Sequence, residues 1–191
     1  LVFKRLIDIL ISLLLCFITL PLFIIVALLI KLSSNGPIFY TQERLGFQGR
    51  VFKLFKFRSM TDVKRDALVQ VTDSNKEVTW IGRIIRRLKI DELPQLFNVL
   101  LGDMSLVGPR PCLEETQKDF NVDGYKRLLV RPGMTGLAQV NGNILLDWPA
   151  RWAFDREYVE NVSLLLDIKI VLKTFLIIIL GEQWGDKGRK L

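Results

Sequence analysis

Histidine is absent from the 191 residues of this chain. Its absence excludes Ser-His-Asp hydrolysis, histidine-ligated zinc and acid–base catalysis by an imidazole, so carboxylate, lysine, tyrosine and cysteine side chains remain for any chemistry. Cysteine is also scarce, since Cys16 and Cys112 are the only two. The sequence therefore supports neither a disulfide framework nor a cysteine-based zinc site, and a reducing compartment fits.

Acidic residues are fewer than basic ones, with 20 Asp and Glu against 27 Lys and Arg, and the formal charge is +7. This balance favours anionic partners, namely phosphorylated metabolites, acidic lipid head groups or nucleic acid. Hydrophobic residues make up 50% of the chain although 25% are charged. Because soluble proteins rarely combine these values unless the apolar residues are concentrated in one segment, we expect one domain with an appended membrane element.

Charge is missing altogether from residues 9 to 30, a run of 22 residues. A helix of that length extends about 33 Å, enough to cross the hydrocarbon core of a bilayer. A signal peptide is the alternative interpretation. The run is longer than the apolar part of a signal peptide and has no small-residue cleavage site after it, so we expect it to be retained.

The charges that flank this run do not give it an orientation. Lys4 and Arg5 precede it and Lys31 follows it, whereas a simple spanning helix is basic mainly on its cytoplasmic side. Pro21 lies just past the middle, and Thr19 could bond a carbonyl freed there. These features predict a helix, a break and a second helix that enter and leave the membrane by one face, with a kinked spanning helix as the alternative.

The remainder of the chain predicts a mostly helical α/β domain. Residues 1–32 form the re-entrant membrane helix, residues 33–180 a small cytoplasmic catalytic domain, and residues 181–191 a basic tail. The predicted elements are strands at 38–41 and 51–57, a basic amphipathic helix at 78–88, a helix that Gly102 ends, a helix at 119–130, a short strand at 137–140, a helix at 150–162 and an apolar helix at 164–180. The last of these suits either the membrane surface or the cover of a core.

Two adjacent carboxylates, Asp91 and Glu92, are the first candidates for chemistry. They follow the basic helix and precede Arg110, which lies between two prolines. The alternative is structural, because one carboxylate can cap the next helix and both suit its dipole. The surrounding cations favour phosphoryl transfer, in which an Asp can attack phosphorus and a neighbouring Glu can hold Mg²⁺.

A basic strip runs from Arg44 to Arg58 and holds five basic residues without an acidic one. It could be an electrostatic patch for anionic lipid. Lys56 and Arg58 alternate with phenylalanines, so they share one face of a strand. That face could present both charges to a diphosphate.

Four segments of the chain closely resemble the bacterial sugar transferases, the monotopic phosphoglycosyl transferases. In order, they are Lys-Phe-Arg-Ser-Met at 56–60, Asp-Glu-Leu-Pro-Gln-Leu-Phe-Asn-Val-Leu at 91–100, Gly-Asp-Met-Ser-Leu-Val-Gly-Pro-Arg-Pro at 102–111 and Arg-Pro-Gly-Met-Thr-Gly-Leu-Ala-Gln-Val at 131–140. The resemblance extends from about residue 4 to residue 173.

The resemblance implies an enzyme that moves a sugar 1-phosphate from a UDP-sugar to undecaprenyl phosphate and releases UMP, the first step of lipid-linked glycan assembly. It implies that Asp91 is the nucleophile, which forms a covalent phosphosugar intermediate, and that Glu92 is the Mg²⁺ ligand. Lys56, Arg86 and Arg110 fall on family positions that contact phosphate or the nucleotide. Arg58 is a further candidate for the same role.

The resemblance also implies a place in the cell. We expect the cytoplasmic face of the bacterial inner membrane, contact with phospholipid through the re-entrant helix and amphipathic segments, and no nucleic-acid partner. A homo-oligomer stays compatible with the sequence. The donor sugar and the glycan pathway are left open.

This chain departs from the family pattern in two places. Leu20 precedes the proline where members often have serine, and Asn143 stands where many have arginine. Two other functions remain as alternatives, a membrane-bound glycosyltransferase that releases UDP and a basic binding module without catalysis.

Overall fold

The computed structural model describes residues 2–61 and 77–180 and is mostly helical, with two small sheets. The elements are α1 (Val2–Ser33), β1 (Phe39–Leu45), β2 (Val51–Phe57), α2 (Trp80–Arg87), α3 (Gln95–Leu101), β3 (Ser105–Val107), α4 (Val122–Lys126), β4 (Gly133–Thr135), α5 (Leu137–Val140), α6 (Trp148–Glu160) and α7 (Leu164–Leu180). The predicted class, mostly helical with some strand, is confirmed. The basic tail predicted at 181–191 lies outside the described residues.

Helix α1 is the one helix in residues 2–61 and 77–180 that is long and apolar enough to cross a membrane. It continues through Pro21 without interruption, so the predicted pair of helices with a break is not seen. Thr19 Oγ1 donates to the carbonyl of Leu15 at 2.7 Å. The carbonyl that proline leaves without a helical donor is that of Phe17, so Thr19 does not have the predicted partner, because a threonine hydroxyl reaches back one turn from its own position.

Both ends of α1 are attached to the same domain. Near its start, Lys4 Nζ lies 2.7 Å from Asp167 Oδ2 in α7, and buried Asp8 accepts a hydrogen bond of 2.7 Å from Ser105 Oγ in β3. Near its end, apolar side chains from α1, β2 and α2 form one core group, which consists of Val26, Ile30, Phe57, Ile81 and Ile85. The middle of the helix is mainly exposed and apolar.

The two predicted strands are present as β1 and β2, and they form an antiparallel hairpin, with Phe39 opposite Phe57 and Leu45 opposite Val51. Helix α3 closes one side of this hairpin through Asn98, which is fully buried. The Asn98 amide donates to the carbonyl of Lys53 at 2.7 Å, and its Oδ1 accepts from the amide of Phe55 at 3.0 Å. This side chain satisfies strand groups that would otherwise be buried without partners.

Strands β3 and β4 form a parallel pair in which backbones meet closely. A Cβ on Gly133 would lie 2.0 Å from the amide nitrogen of Gly108, and one on Gly136 would lie 2.1 Å from the Gly108 carbonyl oxygen. No larger residue fits these positions. Glycine therefore allows the loop with Pro109 and Pro111 to pack closely against the loop with Pro132. The strand predicted at 137–140 is wrong: the strand pairing occurs earlier, at β4, and residues 137–140 form the short helix α5.

The helix predicted at 119–130 is also wrong in extent. The chain instead forms a 3₁₀ helix at Glu114–Asp119, then α4, then a 3₁₀ helix at Arg127–Leu129. Asn121 begins α4 because its side chain accepts a hydrogen bond from the amide of Gly124 at 2.8 Å.

Helices α6 and α7 agree with the predictions for 150–162 and 164–180. Helix α7 exposes one apolar side, which consists of Leu165, Ile168, Leu172, Phe175 and Ile179.

Candidate active site

The two adjacent carboxylates lie in a 3₁₀ turn, Ile90–Glu92, between α2 and α3. Lys89 adopts a left-handed conformation with φ of 56°, which turns the chain sharply after α2. The residue at the start of α3 is Pro94, and it makes no side-chain capping bond. Asp91 and Glu92 therefore do not cap the helix, which removes the capping part of the structural alternative.

Glu92 collects two cations from distant parts of the chain. Its Oε1 accepts a hydrogen bond of 2.9 Å from Lys56 Nζ in β2 and one of 2.7 Å from Arg110 Nη2 in the loop after β3. Oε2 receives a longer bond of 3.5 Å from Arg110 Nη1. Three of the predicted site residues thus meet at one carboxylate.

The two carboxyl groups titrate in opposite directions. Burial, and then the charge of Glu92, raise the pKa of Asp91 to about 6, although Lys56, Arg86 and Lys89 act to lower it. Burial alone would raise the pKa of Glu92, but hydrogen-bonded Arg110 and Lys56 hold it well below its usual range. Asp91 is thus a more basic carboxylate that is still mostly ionised at neutral pH, while Glu92 is a permanent anion.

Arg110 is held in place through its backbone as well as its side chain. The flanking prolines limit its loop, and the amide of Gly133 donates to the Pro109 carbonyl at 2.9 Å. Arg127 is buried, donates to the Arg110 carbonyl and lies 3.3 Å from buried Asp155 of α6. Burial raises the pKa of Asp155 to about 6, against the lowering charge of Arg127 and then Arg151.

Arg86 and Arg58 have different surroundings. Arg86 lies at the end of α2, where its charge acts on Asp91. Arg58 donates to backbone carbonyls at the end of α1 and, within the described part of the chain, has no hydrogen bond to either carboxylate, and its assignment as a substrate-binding residue stays a prediction. It is 5% exposed and donates to the carbonyls of Ser34 and Asn35 at 2.8 Å and 2.7 Å. Burial of the strand end beneath the end of α1 turns this guanidinium towards backbone carbonyls, so Lys56 alone of the two faces the carboxylates.

Several residues at the site were missed from the sequence. Lys89 acts on the pKa of Asp91, while Arg127 and Asp155 fix the Arg110 loop. Its position two residues before Asp91 was a usable signal for Lys89. Arg127 and Asp155 are 28 positions apart, and no sequence pattern indicates that pairing.

The donor set at this site fits Mg²⁺. The cation prefers oxygen ligands and is commonly bound by one or two carboxylates together with substrate phosphates and water. Asp91 and Glu92 supply adjacent carboxylate oxygens, and within residues 2–61 and 77–180 no cluster of three or more carboxylate or thiol side chains offers a complete protein cage. Substrate phosphate would therefore have to complete the coordination, which suits a phosphoryl-transfer reaction.

Comparisons with known proteins agree with this chemistry. The family model described as bacterial sugar transferase matches residues 1–181. An undecaprenyl-phosphate glucose phosphotransferase of Komagataeibacter xylinus is 47% identical over 184 residues, which is 90% of this chain and 35% of that protein. The uncharacterized sugar transferase EpsL of Bacillus subtilis (strain 168) is 39% identical over 181 residues, 95% of this chain and 89% of that protein.

A third relative carries another sugar in its name. It is an undecaprenyl-phosphate N-acetylgalactosaminephosphotransferase of Aeromonas hydrophila, named as using UDP-N-acetylgalactosamine, with 44% identity over 168 residues, 84% of this chain and 40% of that protein. The chain thus spans well under half the length of two of these three relatives and most of the length of EpsL.

Proposed function

The chain belongs to the bacterial sugar transferase family, and we propose that it transfers a sugar 1-phosphate from a UDP-sugar to undecaprenyl phosphate. The names of the Komagataeibacter and Aeromonas relatives support this reaction. Because those names carry different sugars, the proposal concerns the reaction class and not one donor sugar.

The proposed reaction has two steps on one nucleophile. A carboxylate oxygen of Asp91 attacks the phosphorus that bears the sugar, a new O–P bond forms, and the bond to the other phosphate breaks so that UMP leaves. A phosphate oxygen of undecaprenyl phosphate then attacks the same phosphorus and releases the Asp91 carboxylate. Both nucleophiles are already anionic, so neither step needs a histidine as base.

One observation carries the proposal: Asp91 is 8% exposed and has no role as a cap of α3. A buried carboxylate costs free energy unless something compensates it, and burial raises the pKa of this one to about 6. A buried carboxylate that does not cap α3, next to a second carboxylate and acted on by three cations, has the arrangement expected of a nucleophile.

Glu92 is proposed as the main protein ligand of Mg²⁺, with Asp91 beside it. The cation would neutralise charge on the phosphate oxygens when it is bound. Lys56 and Arg110 now donate to Glu92. Lys56 and Arg110 would also donate N–H groups to the diphosphate. Arg86 would do the same near Asp91.

The membrane arrangement is part of the proposal. We propose that α1, although continuous through Pro21, is re-entrant and enters and leaves the membrane by one face, and that the catalytic domain lies on the cytoplasmic face of the inner membrane. Attachment of both ends of α1 to one domain supports this, through Lys4 and Asp8 at one end and Ile30 at the other. The exposed apolar side of α7 would lie in the bilayer interface.

The test is UMP release by the full chain in nanodiscs with undecaprenyl phosphate and a panel of UDP-sugars. We expect UMP with at least one donor and a phosphosugar bound covalently to the protein when the acceptor is omitted. Asp91→Asn should abolish both, while Asp119→Asn, an exposed acidic position, should retain both.

Other products would identify other functions. Release of UDP in place of UMP would indicate a glycosyltransferase that moves the sugar alone. UMP release by Asp91→Asn at the normal rate would refute the covalent route. Salt-sensitive binding of polyanions, without turnover for any donor, would indicate a binding module.

A further inference from the structure

Asp8 is a buried carboxylate in α1 that the proposed reaction does not use. It is 4% exposed and lies directly before the uncharged run of residues 9–30. A buried carboxylate costs free energy unless hydrogen bonds or opposite charges compensate for it. A helix that only anchored the protein would not need this group, so the partners of Asp8 indicate a second role for α1.

The hydrogen-bond partners of Asp8 belong to β3. Its Oδ2 accepts a hydrogen bond of 2.7 Å from Ser105 Oγ, and its Oδ1 accepts one of 3.3 Å from the amide of Leu106. Strand β3 pairs with β4 along one edge, where the Ser105 amide donates to the Pro132 carbonyl at 2.8 Å. The Leu106 amide donates to Asp8 and not to β4, so this carboxylate satisfies a backbone group on the other edge of the strand.

Two further side chains hold the same strand. Arg5 Nη1, also from α1, donates to the carbonyl of Met104 at 3.3 Å. The buried hydroxyl of Tyr158 in α6 donates to the carbonyl of Val107 at 2.9 Å. Each of residues 104–107 thus contacts a side chain from α1 or α6, and β3 cannot shift without breaking several of these bonds.

Lys4 connects the groups that hold β3. Its Nζ lies 3.7 Å from Asp8 Oδ1 and 2.7 Å from Asp167 Oδ2. Asp167 Oδ1 lies 2.8 Å from the Tyr158 hydroxyl oxygen. One ammonium group therefore compensates two buried carboxylates and joins the α1 side of β3 to the α6 side.

Strand β3 leads directly to Arg110. Val107 ends the strand, and Arg110 follows three positions later in a loop that two prolines and the bond from the Gly133 amide to the Pro109 carbonyl restrain. A restrained loop moves together with the strand that carries it. The bond from Arg110 Nη2 to Glu92 Oε1 is 2.7 Å long, so a shift of about 1 Å in β3 is enough to weaken it strongly.

We propose that Asp8 is a positioning residue for Arg110. The membrane helix holds β3 through this carboxylate, and the loop after β3 then places the Arg110 guanidinium at Glu92 and at the donor diphosphate. The part that concerns the diphosphate rests on the proposed function. Helix α1 thus contributes to the geometry of the site as well as to membrane attachment.

The test is Asp8→Ala in the full chain in nanodiscs, with Ser12→Ala as the matched control. Ser12 lies one turn later in α1 and is fully buried, and its hydroxyl has no hydrogen-bond partner among the described residues. We expect Asp8→Ala to lower kcat/KM for the UDP-sugar about tenfold. Hydrogen exchange of the backbone amides at 108–113, followed by mass spectrometry, should become faster, while the hairpin of β1 and β2 keeps the wild-type rate. Asp8→Asn retains an oxygen acceptor and should show smaller changes.

A double-mutant cycle with Arg110→Gln separates positioning from support of the fold. Asp8→Ala should lower kcat/KM no further in the Arg110→Gln background, whereas it should lower the melting temperature equally in both backgrounds. Equal losses of kcat/KM in both backgrounds would mean that Asp8 only supports the fold. Unchanged exchange at 108–113 would refute the connection between α1 and the Arg110 loop.

Ser105→Ala removes the 2.7 Å bond from the β3 side and should reproduce the effects, which keeps the test decisive if Asp8→Ala does not fold. Hydrogen exchange needs no substrate. Faster exchange at 108–113 in the variant, together with no UMP release by the wild-type protein, would refute the proposed function and leave the positioning role of Asp8 standing.

Discussion

Arg110 Nη2 donates a hydrogen bond of 2.7 Å to Oε1 of Glu92. The two residues come from separate segments, the 3₁₀ turn before α3 and the loop after β3, and Lys56 of β2 reaches the same oxygen at 2.9 Å. One carboxylate thus joins three segments of the chain. A substitution that keeps the size of the Glu92 side chain and removes its charge separates the role of the negative charge from the role of the side chain in joining the three segments.

Glu92→Gln should reduce UMP release by about 100-fold and raise the Mg²⁺ concentration required for half-maximal rate. The amide keeps the size of the side chain but loses the negative charge that attracts a divalent cation. The measurement is UMP release over a Mg²⁺ titration, with Glu43→Gln, an exposed residue on β1, as the control. An unchanged Mg²⁺ requirement would contradict the assignment of Glu92 as a metal ligand.

Asp91→Asn should make the protein more stable at neutral pH in metal-free buffer. The pKa of Asp91 in the folded protein is about 6, above the ordinary value of 3.8. The ionised form is therefore disfavoured by folding: the contribution of Asp91 is fully favourable below pH 3.8 and is lost as the pH rises through about 6, a difference of about 3 kcal/mol.

The measurement is the melting temperature of wild type and Asp91→Asn in detergent and chelator, from pH 4 to pH 8. The variant should melt several degrees higher at pH 7.5 and close to wild type at pH 4. A difference that does not change with pH would mean that the carboxylate of Asp91 keeps its ordinary pKa.

Lys56→Gln and Arg58→Gln should have different effects, although the sequence predicts that the two side chains lie on the same face of a strand. Lys56→Gln should reduce turnover with little change in the melting temperature. Arg58→Gln should reduce stability by about 2 kcal/mol or more, because a buried guanidinium loses its bonds to the Ser34 and Asn35 carbonyls. The KM for the donor should stay normal in Arg58→Gln that remains folded, and a raised KM would support a place for Arg58 in the binding site.

Gly133→Ala should destabilise the protein and lower turnover together. The new Cβ would lie 2.0 Å from the amide nitrogen of Gly108, so the two proline-containing loops would have to separate and carry Arg110 away from Glu92. Melting temperature and UMP release are measured on the same preparation. Normal values for both would show that the loops can shift without moving Arg110.

Single cysteines at Val2 and Asn35 should be labelled from the same membrane face. Both positions are exposed, at the two ends of α1. The background carries Cys16→Ala and Cys112→Ala, and an impermeant thiol reagent is added to spheroplasts and to inverted vesicles. Labelling of the two positions from opposite faces would refute the re-entrant arrangement.

Structural features that depend on residues close together in the chain were predictable from the sequence. The two strands of the hairpin follow from two apolar runs around glycines, and the end of α3 follows from Gly102, whose φ of 98° suits glycine. Helix boundaries between 114 and 130 were not predictable in the same way, because Asn121 interrupts a segment of helical composition by capping a new helix.

The sequence by itself determined the apolar helix and the carboxylate pair and excluded histidine chemistry, because an uncharged run, the adjacency of Asp91 and Glu92 and the lack of histidine are properties of the linear chain. Only the tertiary structure decided which cations serve the pair. Lys56 and Arg110, which bind Glu92, come from different elements, and Arg58 is turned towards the end of α1. Electrostatic interactions depend on the distance between charges in space. The packing of buried apolar groups sets how far apart the elements lie, and the number of residues between two charges does not give that distance.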